Sequence, residues 1–440
     1  MANPADFGPL PPRFAELKKE IAGSYPDFEA RATKAWGEIL AELDKATKGI
    51  AAQGSANVPE VNFSELGSLT PERKEEIRGK GCLVIRDVVD DQEAREWQAW
   101  LRSYVAENPV DGVPEHDKQF FQLYWTKSQV RARSHPNILS ATVWLNKLYR
   151  IRNGDGAKIG DVDLETPLTY ADRFRIRKPG VQWDVHPPHV DGGGIERWED
   201  EAFRHCFDDI LSGNWREHDP YDLENRVRAR SSLYGRPNQA TVFRTYQGWL
   251  ALSETAPNEG TLQVFPNVRL SNAYIILRPF FALKDGANLD SFDPDDWRFD
   301  STTPDFHGIY SYGASFVGPR PNTQTHPHLR LEQTMVPVPK VYPGDMVFWH
   351  SCPHAQDVIH AVEKHHTGKE DSTVMYIPAM PYTAVNAAYI EKQKESFLQG
   401  VAPPDFPRNK GEAECVGVGK ADDIENPIGK RAMGFAIEVA

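Results

Sequence analysis

Near Thr169 the apolar pattern of the chain changes period. Before that point, hydrophobic residues recur three and four apart. Phe14, Leu17 and Ile21 begin the series, and past Pro26 it continues through Phe28, Trp36, Ile39, Leu40 and Leu43. That spacing lines one face of a helix. Thr70-Pro71-Glu72 opens another helix, with an N-cap Thr, Pro at the first position and Glu in the first turn; Gly79 and Gly81 close it. Cys82 to Ile85 is a short buried strand, and Ala94, Trp97, Trp100, Leu101 and Val105 share a helical face over 90–106. A further helix follows His135-Pro136. After Thr169 the period falls to two: Phe174 and Ile176 alternate with Arg173, Arg175 and Arg177. Strand candidates then follow over 240–254, 260–265, 331–338, 345–349 and 373–377, with a turn at Asn258-Glu259-Gly260. A helix over 384–398 and a Pro-rich tail end the chain. Helices followed by many short strands predict a mainly β chain with helices, α+β in class. Its core is then a barrel or jelly roll with helices packed outside. The expected organisation is a helical region over 1–160, a core with insertions over 161–385, and a helix and tail over 386–440.

A length of 440 residues admits one large domain with additions, or two domains. The net charge of −13 argues against nucleic acid or an anionic membrane as a partner. No apolar run approaches the roughly 18 residues of a membrane-spanning helix. Met1 to Leu17 carries no basic, then apolar, leader pattern. Cys82, Cys206, Cys352 and Cys415 are scattered and make no disulfide framework, so a reducing compartment, the cytoplasm, is expected.

One short stretch carries chemistry. His189-Val190-Asp191 follows the β-like run and precedes three glycines, Gly192 to Gly194. In an extended strand residues i and i+2 face the same way, so His189 and Asp191 can converge on one point. An imidazole and a carboxylate so placed are two thirds of the facial triad of a non-haem Fe(II) oxygenase. The third ligand is then a distant histidine, and His350, His354 and His360 compete for the position. The glycines are no phosphate cradle, because no helix signature or Lys-Ser/Thr follows them.

Further runs join this motif: Phe243 to Leu252, Gly260 to Pro266, Gly344-Asp345, Asp357-Val358-Ile359-His360 and Tyr376-Ile377-Pro378. With them the chain resembles the double-stranded β-helix oxygenases that use Fe(II) and 2-oxoglutarate, and among these the YbiU-like group, over about residues 70–407. The resemblance implies a jelly-roll, cupin-like core. It also favours His360, since the distal ligand of that superfamily follows a Gly-Asp pair and residues 357–359 give His360 a strand to stand on. Fe(II) on His189, Asp191 and His360, with 2-oxoglutarate and O2 as co-substrates, is what the resemblance implies. Many relatives carry an Arg for 2-oxoglutarate shortly after the distal His. Only Lys364 and Lys369 stand there, so Arg244, Arg175 and Lys369 are the candidate anchors. Met346, Phe348 and Gln247 are expected to line the substrate pocket. The implied reaction is oxidation of a C–H bond in a small polar substrate. Likeness to fungal aziridine-forming amino-acid oxygenases over 344–360 points to a branched amino acid such as valine, with hydroxylation or C–N cyclisation as outcomes. The alternative is a non-catalytic β-helix protein that binds a small ligand or partner. An intact His-x-Asp argues against it.

Overall fold

The computed structural model describes residues 6–150, 162–236, 238–352, 355–356, 358–407 and 410–435. Two helices, Arg13–Ser24 and Phe28–Gln53, open the fold. The second buries Trp36, whose ring stacks 4.5 Å from Phe281 and 5.3 Å from Tyr274. Such aromatic pairs bury large areas and prefer these offsets. The helix Pro71–Lys80 starts at Thr70, whose hydroxyl accepts from the Arg73 N–H at 3.3 Å. It ends at Gly81, with φ of 71°. A Cβ there would come within 2.8 Å of the Val358 side chain, so this cap also sets how the segment before His360 approaches.

Strands divide among five sheets. The largest has nine strands, with edge-to-edge order Glu60–Asn62, Cys82–Arg86, Met346–Cys352, Tyr246–Ala251, Ser372–Tyr376, Phe174–Arg177, Phe120–Phe121 and Gly112–Val113; Ala355–Gln356 pairs beside Met346–Cys352. All neighbours are antiparallel except the first two. A three-stranded sheet carries Val336–Pro337, Leu262–Val264 and His360–Val362. The large sheet keeps two free edges, so among the described residues the strands close into no barrel. The architecture is a mixed α+β fold of several sheets and helices.

Two expected strands are corrected. Residues 331–338 form a short helix, Leu331–Thr334, then a two-residue strand, Val336–Pro337. Within 240–254 only Tyr246–Ala251 is strand. A helix without a sequence signal, Val268–Leu277, packs on the helices Phe28–Gln53 and Pro71–Lys80 and is buried on nearly every side. One hydrophobic core runs from Leu10 to Ala379, and a smaller one joins Tyr124 and Tyr170 to the helix Ala384–Gln399. Among the described residues no helix is long and apolar enough to cross a membrane.

Candidate metal centre

The centre begins with one backbone contact. The His189 N–H donates to the His360 carbonyl, and the His360 N–H donates back, both at 3.0 Å. On the other edge the Val190 N–H donates to the Pro319 carbonyl at 3.0 Å. Residues 189–191 are thus held extended between two neighbours, and the side chains of His189 and Asp191 share a face. Residues opposite each other across such a bridge are nearest neighbours, so the imidazoles of His189 and His360 lie with centroids 4.2 Å apart. The chain then turns at Gly192 and Gly193, with φ of 75° and 97°. A Cβ on Gly193 would meet the Ser231 carbonyl at 3.2 Å, so glycine is required on two counts. Arg197 fixes the turn, donating to the carbonyls of Gly193 and Asp191.

His189, Asp191 and His360 each offer one atom, all within 4.8 Å of one another. His189 Nε2 lies 3.5 Å from Asp191 Oδ1, and His360 Nε2 lies 3.3 Å from Asp191 Oδ2. Adjacent octahedral ligands on bonds near 2.1 Å sit about 3 Å apart, so the spacing suits a small divalent ion. The tautomers also suit it. The Nδ1–H of His189 donates to the Pro187 carbonyl at 2.7 Å, and that of His360 to Val358 at 3.1 Å. A carbonyl only accepts, so both protons sit on Nδ1 and both Nε2 lone pairs are free for a metal. Burial and the neighbouring His360 push His189 down to about 4, which keeps it a neutral ligand at neutral pH. Burial works against the Asp191 charge, but the imidazoles and the Gln247 amide outweigh it and hold that carboxyl well below its usual range. Gln247 Nε2 donates to Asp191 Oδ2 at 3.1 Å.

The competing histidines separate. His350 is fully buried, its Nε2 2.6 Å from the Tyr149 hydroxyl and its ring among Tyr149, Tyr221 and Tyr246. His354 lies outside the described residues. His186 stands beside the centre but accepts from Trp183 Nε1 at 2.9 Å through Nδ1. Its proton is then on Nε2, so it offers no free lone pair.

The triad opens on a cavity of about 480 Å³ between the two sheets. Arg175, Gln247, Trp349 and Tyr376 line it from the large sheet, and Leu262 and Val362 from the small one. Arg244 also lines it, with its guanidinium 5.0 Å over the Tyr170 ring. Lys369 is exposed and does not line the cavity. The placement of Met346 and Phe348 is a correction: both are fully buried and neither lines the cavity. They share a face, but it is the far one. A Cβ on Gly248 would come within 2.2 Å of the Phe348 ring, so Phe348 fills the space that this glycine leaves. Trp349, paired with Gln247, takes the near face, its ring 5.2 Å from His360. The Gly344-Asp345 pair is a structural clasp. A Cβ on Gly344 would lie 2.0 Å from the Val89 carbonyl. Asp345 accepts from the N–H groups of Asp87 and Tyr342 at 3.0 and 2.9 Å. Sequence reasoning missed Trp349, Tyr376, Arg236 and Arg320; the last two sit in loops with no period to find them.

The Gig2-like family model matches residues 8–435. The uncharacterised protein YbiU of Escherichia coli K12 is 30% identical over 402 residues, covering 88% of each chain. The GlcNAc Inducible Gene 2 protein of Candida albicans superposes with a TM-score of 0.83 at 31% identity, covering 97% of this chain and 90% of its own. A hypothetical protein of Escherichia coli gives 0.78 at 28% identity, over 98% and 99%. The chain therefore belongs to the Gig2-like family.

Proposed function

We propose that the chain is a mononuclear Fe(II), 2-oxoglutarate-dependent oxygenase acting on a small polar substrate. The observation that carries the reading is the donor set: two Nε2 lone pairs and one carboxylate converge at the edge of a cavity rich in arginine. One face of the ion would stay open toward that cavity. The sheets support a double-stranded β-helix reading of the core. Phe174–Arg177, Ser372–Tyr376, Tyr246–Ala251 and Met346–Cys352 form one layer. The His189 bridge, His360–Val362, Leu262–Val264 and Val336–Pro337 form the other.

Iron with 2-oxoglutarate supplies, when bound, the oxidising power for an unactivated C–H bond. The chain's own residues do the rest. His189, Asp191 and His360 would hold the ion, and Gln247 orients Asp191. Arg175 is the favoured anchor for the far carboxylate of 2-oxoglutarate. It is buried beside His186 and Tyr376, donates to the Gly260 carbonyl at 3.1 Å and, like Arg244, keeps a buried Nε–H with no partner among the described residues. Arg244 is the second candidate, since it faces Tyr170 and Asp405 instead. Trp349 and Leu262 would shape the wall near the reacting carbon. A branched amino acid such as valine, hydroxylated or closed to an aziridine, is the finer form of the proposal. The test is anaerobic Fe(II) titration of wild type and His360→Ala, then 2-oxoglutarate consumption over a panel of free amino acids. Wild type should bind one iron and consume 2-oxoglutarate, and His360→Ala should do neither. A wild-type protein that holds no iron and consumes no 2-oxoglutarate refutes the proposal in favour of a binding protein.

A further inference from the structure

The chain carries a net charge of −13, yet the cavity beside the triad is lined by five arginines and two aspartates. The aspartates are committed: Asp172 pairs with Arg173 at 2.9 Å, and Asp191 belongs to the triad. Arg175, bonded to the Gly260 carbonyl, and Arg244, stacked on Tyr170, are the two candidate anchors for 2-oxoglutarate named above. Arg236 and Arg320 remain. Among the described residues neither guanidinium makes a hydrogen bond or an ion pair. Arg320 only stacks over Phe7, 5.0 Å from the ring centroid.

Both stand where they do because of the metal-binding strand. The Val190 N–H takes the Pro319 carbonyl, which sets Arg320 next to Asp191. Gly193 packs on the Ser231 carbonyl, which Gln239 also holds, so the loop carrying Arg236 runs along the same turn. Both residues line the same cavity as Asp191. Burial first, then the Arg236 charge, lowers the Arg320 pKa, and Asp191 opposes this. Burial also lowers Arg236, against Glu196 and Asp191. Half-buried like charges facing an open cavity are costly unless something neutralises them. A bound divalent ion would claim the Asp191 charge and leave the pair more in need of an anion. Two guanidinium forks suit the oxygens of one carboxylate or phosphate.

We propose that Arg236 and Arg320 form a second oxyanion subsite, apart from the Arg175 wall, that binds a carboxylate or phosphate group of the primary substrate. This rests on the oxygenase reading for the identity of the other ligand. It makes the substrate an anion, held on the loop side of the metal while 2-oxoglutarate occupies the sheet side. A cavity of about 480 Å³ has room for two small ligands.

The test titrates isobutyrate and inorganic phosphate, separately, into anaerobic Fe(II)-loaded protein saturated with 2-oxoglutarate, by calorimetry. Wild type should bind at least one probe, and the better probe identifies the group. Arg236→Gln/Arg320→Gln should weaken that probe about tenfold or more and leave Fe(II) and 2-oxoglutarate titrations within about twofold. Arg236→Lys/Arg320→Lys keeps the charges and should recover part of the probe affinity, which a misfolded protein would not do. No probe binding to wild type, or equal binding to the Gln pair, overturns the subsite. So does a loss of 2-oxoglutarate affinity in the Gln pair, which would make these arginines its anchor. If wild type binds neither iron nor 2-oxoglutarate, the oxygenase reading fails. The same probe titrations on metal-free protein then still decide whether the arginine pair binds an oxyanion.

Discussion

Gln247→Leu isolates the contact that orients the carboxylate ligand. The two imidazoles are each tied to a backbone carbonyl of their own segment. Asp191 has no such tie among the described residues: its one neutral donor is Gln247 Nε2 at 3.1 Å, and its side chain, though withdrawn from bulk solvent by the cavity walls, is 39% exposed toward the cavity. A hydrogen bond to a charged group contributes about 1.5–3 kcal/mol. Water can replace part of that at a carboxylate so open, which leaves roughly 1–2 kcal/mol. At about 1.4 kcal/mol per factor of ten, the metal should bind roughly five- to thirtyfold more weakly. That range overlaps the loss expected when a partner that orients a ligand is removed. The measurement is anaerobic competition for Fe(II) or Mn(II) against a chromogenic chelator, with thermal unfolding of both metal-free proteins as control. Leu keeps the bulk beside Trp349, so the metal-free proteins should melt within a few degrees of each other. Equal metal affinity in the variant would refute the argument. A weakened affinity that tracks a lower melting temperature would show that Gln247 only packs.

Three further outcomes follow. Arg175→Gln should raise the 2-oxoglutarate requirement by about tenfold or more, and Arg244→Gln by less, read from the co-substrate dependence of turnover; the reverse order would make Arg244 the anchor. Phe348→Ala should cost about 3–5 kcal/mol of stability and leave product ratios unchanged, whereas Trp349→Ala should shift the ratio of products by mass spectrometry. A ratio that follows Phe348 instead would restore that residue to the pocket. Glu412 is buried and pushed up to about 7 by that burial, against the Tyr124 and Trp125 N–H groups and the Tyr104 hydroxyl. Its raised value means full stabilisation below about 4.5 and loss as pH rises through about 7. Wild type should therefore lose melting temperature relative to Glu412→Gln, which stays neutral, as pH rises over that window, and parallel curves would disprove it.

What was legible in the sequence follows from which signals are local. Thr70-Pro71 announced its helix because the cap is made within four residues. His189 and Asp191 share a face because extended backbone fixes that parity. Parity does not say which face is inward. Met346 and Phe348 share a face, as alternation requires, but it is the one away from the cavity, because the choice is made across the sheet by Gly248, which leaves room for the Phe348 ring. The helix Val268–Leu277 was silent for a related reason: it is buried nearly all round, so no polar stripe marks its period. Arg236 and Arg320 depend on tertiary contacts of loops with the Val190 to Gly193 segment, and nothing near them in sequence encodes those contacts.

The same dependence on distant contacts makes the centre a joint between segments. His189 and His360 meet at one bridge, and further backbone bonds run on from it: the Val362 N–H donates to the His186 carbonyl at 3.1 Å and the Trp183 N–H to the Lys364 carbonyl at 2.7 Å. On its other edge the strand His360–Val362 is held by Leu262–Val264, and residues 189–191 are held by Pro319 and Arg197. A divalent ion on all three ligands would tie these segments together in the folded state, while the unfolded chain offers it no assembled site. Ligand that binds only the folded state stabilises it by about 2.7 kcal/mol at a hundred times its dissociation constant. Saturating Fe(II) or Mn(II) should accordingly raise the melting temperature of wild type, with the rise growing as the logarithm of metal concentration. His360→Ala should lose the rise, because one of three ligands is gone while the main-chain bridge to His189 remains. His350→Ala should keep it, since that ring lies among tyrosines away from the triad. A rise retained in His360→Ala would mean that the stabilising ion sits elsewhere.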